Sequence, residues 1–262
     1  EDASGNIFIG TYGGGVSKYL PQLELNNYNG SIFQTISTKH GLSNDKVLSI
    51  IQDREKNIWI GTYLYLNQYF DEQFEIYGNN EGLTNSLVWS IIQDKNKNFW
   101  IGTEGGLIEA ALQSNKSSSA NAESPIINFN FNKVEGKPGE VLNTAALYED
   151  IKGNIWYSNF GHGVSRYNPT SKRIDNFTSE KNNLPTNEIY SICGDKNGNI
   201  WIGTNKGGLL IFDIVTEKFS HFTKEDGIGS DQIYSIIRDS KNRMWLGTLT
   251  GGATVYDNSA TP

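Results

Sequence analysis

One phrase recurs through the chain and limits what it can fold into. An Asp is followed six residues later by an aromatic residue, at Asp2–Phe8, Asp53–Trp59, Asp94–Trp100, Asp150–Trp156, Asp195–Trp201 and Asp239–Trp245. Two residues further on comes Gly or Ser, then Thr or Asn, as in Gly203-Thr204 and Ser158-Asn159. The aromatics are 51, 41, 56, 45 and 44 residues apart. A repeat of that length is one supersecondary unit stacked on its neighbours, and the period matches propeller blades.

The fifth copy shows the whole unit. "EIYSICGD" (Glu188–Asp195) is rich in β-branched and aromatic residues and predicts a first strand. "IWIGT" predicts a second, "LLIFD" (Leu209–Asp213) a third and "KFSHFT" (Lys218–Thr223) a fourth, joined by short turns. Ile200, Trp201 and Ile202 are consecutive and apolar, so both faces of that strand are expected to be buried, as in a blade packed between two others. Gly203 shares a face with Trp201 and is expected to leave room beside its ring. The Asp and Gly of "DKNG" are expected to open and close a type I turn. The predicted fold is an all-β propeller of four-stranded antiparallel blades with six repeat units: 1–40, 41–81, 82–136, 137–182, 183–226 and 227–262. The first unit lacks its first strand and the last unit its fourth, giving 22 strands. This predicts a piece of a seven-bladed ring or longer tandem array.

The phrase Asp-x-x-Gly-Asn-Ile-Trp-Ile-Gly-Thr, followed by Gly-Gly-Leu/Val and Tyr, resembles the two-component regulator propeller repeat. "EGLTNSLVWSIIQD" (Glu81–Asp94) resembles that family's linker into the next blade. The resemblance covers nearly the whole chain. It implies the extracytoplasmic sensor region of a bacterial membrane-bound two-component regulator, periplasmic or extracellular, with glycan fragments among the ligands sensed.

Composition narrows the alternatives. The net charge is −7, so the basic stripe that nucleic acid requires is not expected. No apolar run approaches the ~18 residues of a membrane helix, and no direct membrane insertion is expected. The single cysteine, Cys193, lies in a predicted first strand, where a buried thiol is inert. The chain starts at Glu1 without Met or a signal peptide, which predicts a mature or excised form. "DKNGN" at Asp195 resembles a calcium loop, but Lys206 stands where the Glu at position twelve belongs. No metal, cofactor or catalytic residue is expected.

Two copies depart from the pattern. After the second strand, copy two reads "TYLYL" (Thr62–Leu66) without glycine, and copy three puts Ala110 in place of the third-strand Tyr. Each is open to a functional loop or to drift. The polar run 113–124 is expected to be a flexible surface loop.

Linkers into the first strand and turns after the second are expected to share one face around a central channel. That face would carry Tyr12, Tyr63, Tyr65, Asn44, Asp45, Asn85, Asn187, Asp231, His162 and Lys206. Trp89, Tyr190 and Tyr234 stand early in the first strands, each five residues before its Asp. Aromatic planes beside amides and carboxylates suit sugars, although rings at such positions also pack between blades. The expected ligand-binding residues are Tyr12, Trp89, His162, Tyr190, Lys206 and Tyr234. The expected partners are a small ligand such as an oligosaccharide, and an adjacent propeller or homodimer subunit. A structural scaffold is the second reading. A propeller lyase or hydrolase is the third, and it would need a His/Glu constellation of which only His162 is in place.

Overall fold

The computed structural model describes residues 1–25, 32–83, 85–113, 127–134 and 143–257; the predicted loop lies outside them except for Gln113. The chain divides into two compact units, Glu1–Val141 and Leu142–Pro262. Both are all-β and are built from the sheets of a β-propeller.

The first unit holds three sheets. Sheet 1 is β1 (Ile7–Gly10), β2 (Val16–Tyr19) and β3 (Phe33–Ile36). Sheet 2 is β4 (Val47–Gln52), β5 (Ile58–Thr62), β6 (Leu66–Phe70) and β7 (Gln73–Tyr77). Sheet 3 is β8 (Val88–Gln93), β9 (Phe99–Thr103), β10 (Gly106–Leu112) and β11 (Phe129–Lys133). The second unit repeats the plan. Sheet 4 is β12 (Leu147–Glu149), β13 (Ile155–Asn159), β14 (Gly163–Asn168) and β15 (Arg173–Phe177). Sheet 5 is β16 (Ile189–Gly194), β17 (Ile200–Thr204), β18 (Leu209–Asp213) and β19 (Lys218–Phe222), and sheet 6 is β20 (Ile233–Arg238), β21 (Met244–Thr248) and β22 (Ala253–Tyr256). Every neighbouring pair is antiparallel and consecutive in the chain, so each sheet is a meander. Sheets 1 and 6 have three strands, as the repeat count predicts.

In the four complete sheets every residue of the second strand is buried. The Asp–Trp spacing explains what fixes these strands, and it reaches further than the turn expected from the sequence. Asp150 Oδ1 accepts the backbone N–H groups of Lys152 and Asn154, both at 2.9 Å. Its Oδ2 accepts Asn154 Nδ2 and the indole Nε1–H of Trp156, again at 2.9 Å. The same indole-to-carboxylate bond joins Trp59 to Asp53 at 2.7 Å, Trp100 to Asp94 at 2.9 Å, Trp201 to Asp195 at 3.2 Å and Trp245 to Asp239 at 2.9 Å. Each carboxylate therefore closes a hairpin and satisfies the one polar atom of a core ring, which would otherwise be an orphaned donor.

Three expectations need correction. Gly203 does not make room for Trp201. A Cβ there would run into Ser191 Oγ of the first strand and come 2.8 Å from Ile233 of the next sheet. Ser191 stands directly opposite Gly203 in the register, as Ser49 stands opposite Gly61, so the glycine accommodates its cross-strand serine and the adjacent sheet. Second, the six repeat aromatics, which their shared place in the repeat predicts at equivalent buried positions, are not equally buried. Trp59, Trp100, Trp156 and Trp201 are buried, whereas Phe8 and Trp245 are half-buried, both in three-stranded sheets. Third, Ala110 is a compensated core position. It is buried in a cluster with Phe99 and Phe129, whose rings pack on Trp59 at 4.7 and 5.6 Å in place of a third-strand aromatic.

The turn after the second strand is closed by its Thr. Thr204 Oγ1 donates to the Gly208 carbonyl at 2.7 Å and Thr248 Oγ1 to that of Gly252 at 2.9 Å. Gly208 has φ 71°, and a Cβ there would strike the Phe222 carbonyl, which is why glycine recurs. In copy two the turn is one residue shorter, and Tyr65 itself takes the left-handed conformation at φ 76°.

Candidate functional site

The first strands of sheets 2, 3, 5 and 6 share an irregularity. Their register shifts between Val47 and Ser49, Val88 and Ser90, Ile189 and Ser191, and Ile233 and Ser235. The extra residues are Leu48, Trp89, Tyr190 and Tyr234. A bulge puts two residues opposite one and re-aims the extra side chain out of the ladder. Three of these four residues are the aromatics singled out from the sequence, and the bulge is the physical reason they are not absorbed into the core.

In the first unit the bulge aromatic meets turn aromatics. Tyr12 and Tyr63 follow the Thr that ends the second strand in copies one and two. Their rings meet edge-on at 5.6 Å and their hydroxyls share a 2.9 Å hydrogen bond, which pushes the Tyr63 phenol up. Trp89 extends the row, 6.3 Å from Tyr63. Lys46 Nζ lies 5.0 Å from the Tyr12 ring and 4.8 Å from the Tyr63 ring. Tyr12 is 65% exposed. The indole N–H of Trp89 is buried with no hydrogen-bond partner among the described residues.

The second unit carries a matching row. Tyr190 and Tyr234 stack at 4.6 Å with 21° between their planes. Burial, and then the neighbouring Tyr234 hydroxyl, pushes the Tyr190 phenol up. Phe160 lies 6.3 Å from Tyr190 on the other side. Tyr234 is 46% exposed and Phe160 44%. Beside this row, Glu188 accepts from Asn205 Nδ2, and Gln232 Nε2 donates to Asn205 Oδ1 at 2.9 Å.

Phe160 was not singled out from the sequence. It occupies the position of Tyr12 and Tyr63, directly after the end of the second strand, and that shared position was the available signal. His162 and Lys206 are exposed turn residues after the second strands of sheets 4 and 5, Lys206 with φ 62°. The His162 backbone N–H bonds the Asn159 carbonyl at 2.7 Å. His40 and His221 have structural partners: His40 Nδ1 accepts the Ser37 N–H at 3.1 Å, and His221 Nε2 is 2.7 Å from the Gly207 carbonyl. Burial pushes the Cys193 thiol up, away from nucleophilic use. Among the described residues no group of three His, Cys, Asp or Glu side chains is placed to hold a metal, and no helix is long and apolar enough to cross a membrane.

Residues 41–64, 82–105, 183–206 and 227–250 match the two component regulator propeller family. No curated protein matches the chain's sequence. Among solved structures, the extracellular domain of BT4673, a proposed one component system of B. thetaiotaomicron, is similar at 19% identity and a TM-score of 0.63 over 97% of this chain and 37% of that one. PorZ, a surface component of the type-IX secretion system of Porphyromonas gingivalis, is similar at 14% identity and a TM-score of 0.68 over 96% of this chain and 37% of that one. Virginiamycin B lyase from Staphylococcus aureus is similar at 10% identity and a TM-score of 0.68 over 99% of this chain and 83% of that one. The chain thus spans 37% of the length of the first two, and at these identities the likeness shows the β-propeller fold alone. Four segments, each running from the linker through the first two strands, thus match the repeat of the two component regulator propeller family.

Proposed function

We propose that the chain is a non-enzymatic sensor module on the periplasmic or extracellular side of a bacterial two-component regulator. It binds an oligosaccharide or a similar small ligand and contacts a neighbouring propeller or subunit. The observation that carries this reading is the bulge. It turns Trp89, Tyr190 and Tyr234 out of their ladders, sets Trp89 against the turn aromatic Tyr63 and Tyr190 against Phe160, and stacks Tyr234 on Tyr190. Partly exposed ring planes beside Asn205, Glu188 and Gln232 offer stacking for sugar C–H faces and hydrogen bonds for hydroxyls. Lys46, seated against Tyr12 and Tyr63, adds a cation suited to a uronate carboxylate.

The non-enzymatic reading rests on the match of four segments to the two component regulator propeller repeat. A ligand bound to such a row switches signalling only to the extent that it favours one arrangement of the receptor over another. The test is a thermal-shift and calorimetric screen of short neutral and uronate-containing oligosaccharides. Binding weakened about tenfold by Tyr190→Ala/Tyr234→Ala or by Tyr63→Ala/Trp89→Ala supports the reading, since each stacking contact contributes on the order of 1 kcal/mol. Turnover of a bound sugar would overturn the non-enzymatic part.

A further inference from the structure

In the second unit, at the end of the strands away from the aromatic row, two turns carry exposed aliphatic side chains. Ile151, in the turn between β12 and β13, is 66% exposed, and Val215, in the turn between β18 and β19, is 86% exposed. The two turns are neighbours across sheets 4 and 5. Lys152 Nζ donates to the Ile214 carbonyl at 3.1 Å, and a Cβ on Gly198 would come 2.6 Å from Ile151 and 3.6 Å from Ile214. The repeat does not require an aliphatic residue here. The residue after the clamp Asp is Arg54, Lys95, Lys196 or Ser240 in other copies. In the first unit Arg54 closes the matching junction between sheets 2 and 3. Its backbone N–H donates to Gln93 Oε1 at 3.0 Å and its guanidinium to the Lys95 carbonyl at 2.9 Å. The turn of sheet 2 that matches the Val215 turn reads Asp71-Glu72.

An aliphatic tip enters an apolar medium at least cost when its backbone N–H groups already have partners. In the Val215 turn, Asp213 Oδ1 accepts the N–H groups of Val215 at 2.9 Å and Thr216 at 2.7 Å, and the Asp213 carbonyl accepts that of Glu217 at 2.9 Å. Charge is arranged in the same sense. Exposed Lys172, Lys196 and Lys218 stand on the turns beside the two tips. The acidic groups of the same turns are engaged within the chain: Asp150 is buried in its clamp, Asp213 caps its own turn, and Glu217 is held by Arg166 at 2.8 Å. On a chain of net charge −7, this end is locally basic and aliphatic-tipped. We propose that it docks on an anionic lipid bilayer, with Ile151 and Val215 entering the boundary between headgroups and acyl chains and the lysines meeting the lipid phosphates. Apolar side chains and basic residues act together at such a surface, each too weak alone. Both aliphatic residues stand on turn tips, convex points that a fluid interface receives without a matching pocket, which favours lipid over a folded protein. The chain would rest on the bilayer without crossing it. Tyr190, near the start of six-residue β16, would then face away from the lipid. The inference goes beyond the sensor reading and uses no ligand at the aromatic row.

The experiment sediments the 262-residue chain with large vesicles, either of phosphatidylcholine alone or of two parts phosphatidylcholine to one part phosphatidylglycerol. Binding to the mixed vesicles is expected, with little to the neutral ones and a fall as salt is raised. Ile151→Ser/Val215→Ser should weaken it about tenfold, and so should Lys196→Gln/Lys218→Gln, which leaves the apolar tips in place. Both pairs are exposed, so thermal midpoints should stay at the parent's value. No binding to the mixed vesicles, or binding that either double variant leaves unchanged, would overturn the proposal. So would a chain that ignores both vesicles but binds soluble polyglutamate through the same lysines, because the occupant would then be an acidic polypeptide.

Discussion

The repeats of sheets 2, 3, 5 and 6 have two ends that obey different rules. At one end the Asp–Trp clamp recurs with little change: a carboxylate, an indole N–H between 2.7 and 3.2 Å away, and a buried second strand. At the other end, the position set free by the bulge holds Leu48, Trp89, Tyr190 and Tyr234. The clamp is closed on all sides by donors and neighbouring rings, so a substitution there costs stability. The bulge residue has left the ladder and half faces solvent, so its identity can vary at little cost to the fold. Within one repeat, invariance marks packing and variation marks the place available for recognition.

Removing the clamp's ring should have the largest effect. Trp156→Ala leaves a void against Phe177 and Phe212 and should cost ~3–5 kcal/mol, read as a fall in the urea midpoint. Asp150→Ala should follow closely, because it strands four donors around a buried site, at about 3 kcal/mol if the orphaned indole and backbone N–H groups dominate. Gly203→Ala should cost about 1–3 kcal/mol, since the added methyl meets Ser191 and Ile233 together. If any of these proves neutral, the clamp end is less constrained than its geometry indicates.

The acid limb of stability sharpens the same contrast. The Trp245 indole N–H, followed by donors from Arg243 and Lys241, holds the Asp239 carboxyl well below the usual carboxylate range. A group with a depressed folded-state pKa contributes stability that is complete above its unfolded value, about pH 4, and is lost as pH falls toward the folded value. Trp245→Phe removes the leading donor. It should therefore make stability less dependent on pH below about 4, measured as thermal midpoints across an acid series.

Much of this architecture is legible in the sequence because it is periodic. The apolar triplet Ile200-Trp201-Ile202 announces a strand buried on both faces, and the missing strands of sheets 1 and 6 follow from counting segments. What escapes depends on pairs of strands. A bulge belongs to the register of β16 against β17, so Tyr190 could be placed early in a strand but not seen to leave its ladder. Along its own strand Gly203 reads as room for the Trp201 ring, but its partner is Ser191 across the sheet. The loss of a third-strand aromatic at Ala110 looks like a departure until Phe129, from the fourth strand, is seen to pack on Trp59. Phe160 joins its row only through the ring of Tyr190 in the next sheet, a contact between sheets that the repeat pattern does not carry.

The most direct test of the two-ended repeat is to measure stability and oligosaccharide binding together in Tyr190→Ala/Tyr234→Ala, with Trp156→Ala alongside. The account predicts a double variant within about 1 kcal/mol of the parent in stability, its rings being partly exposed, with binding weakened about tenfold or more. Binding left unchanged, or a loss of stability as large as that of Trp156→Ala, would contradict it.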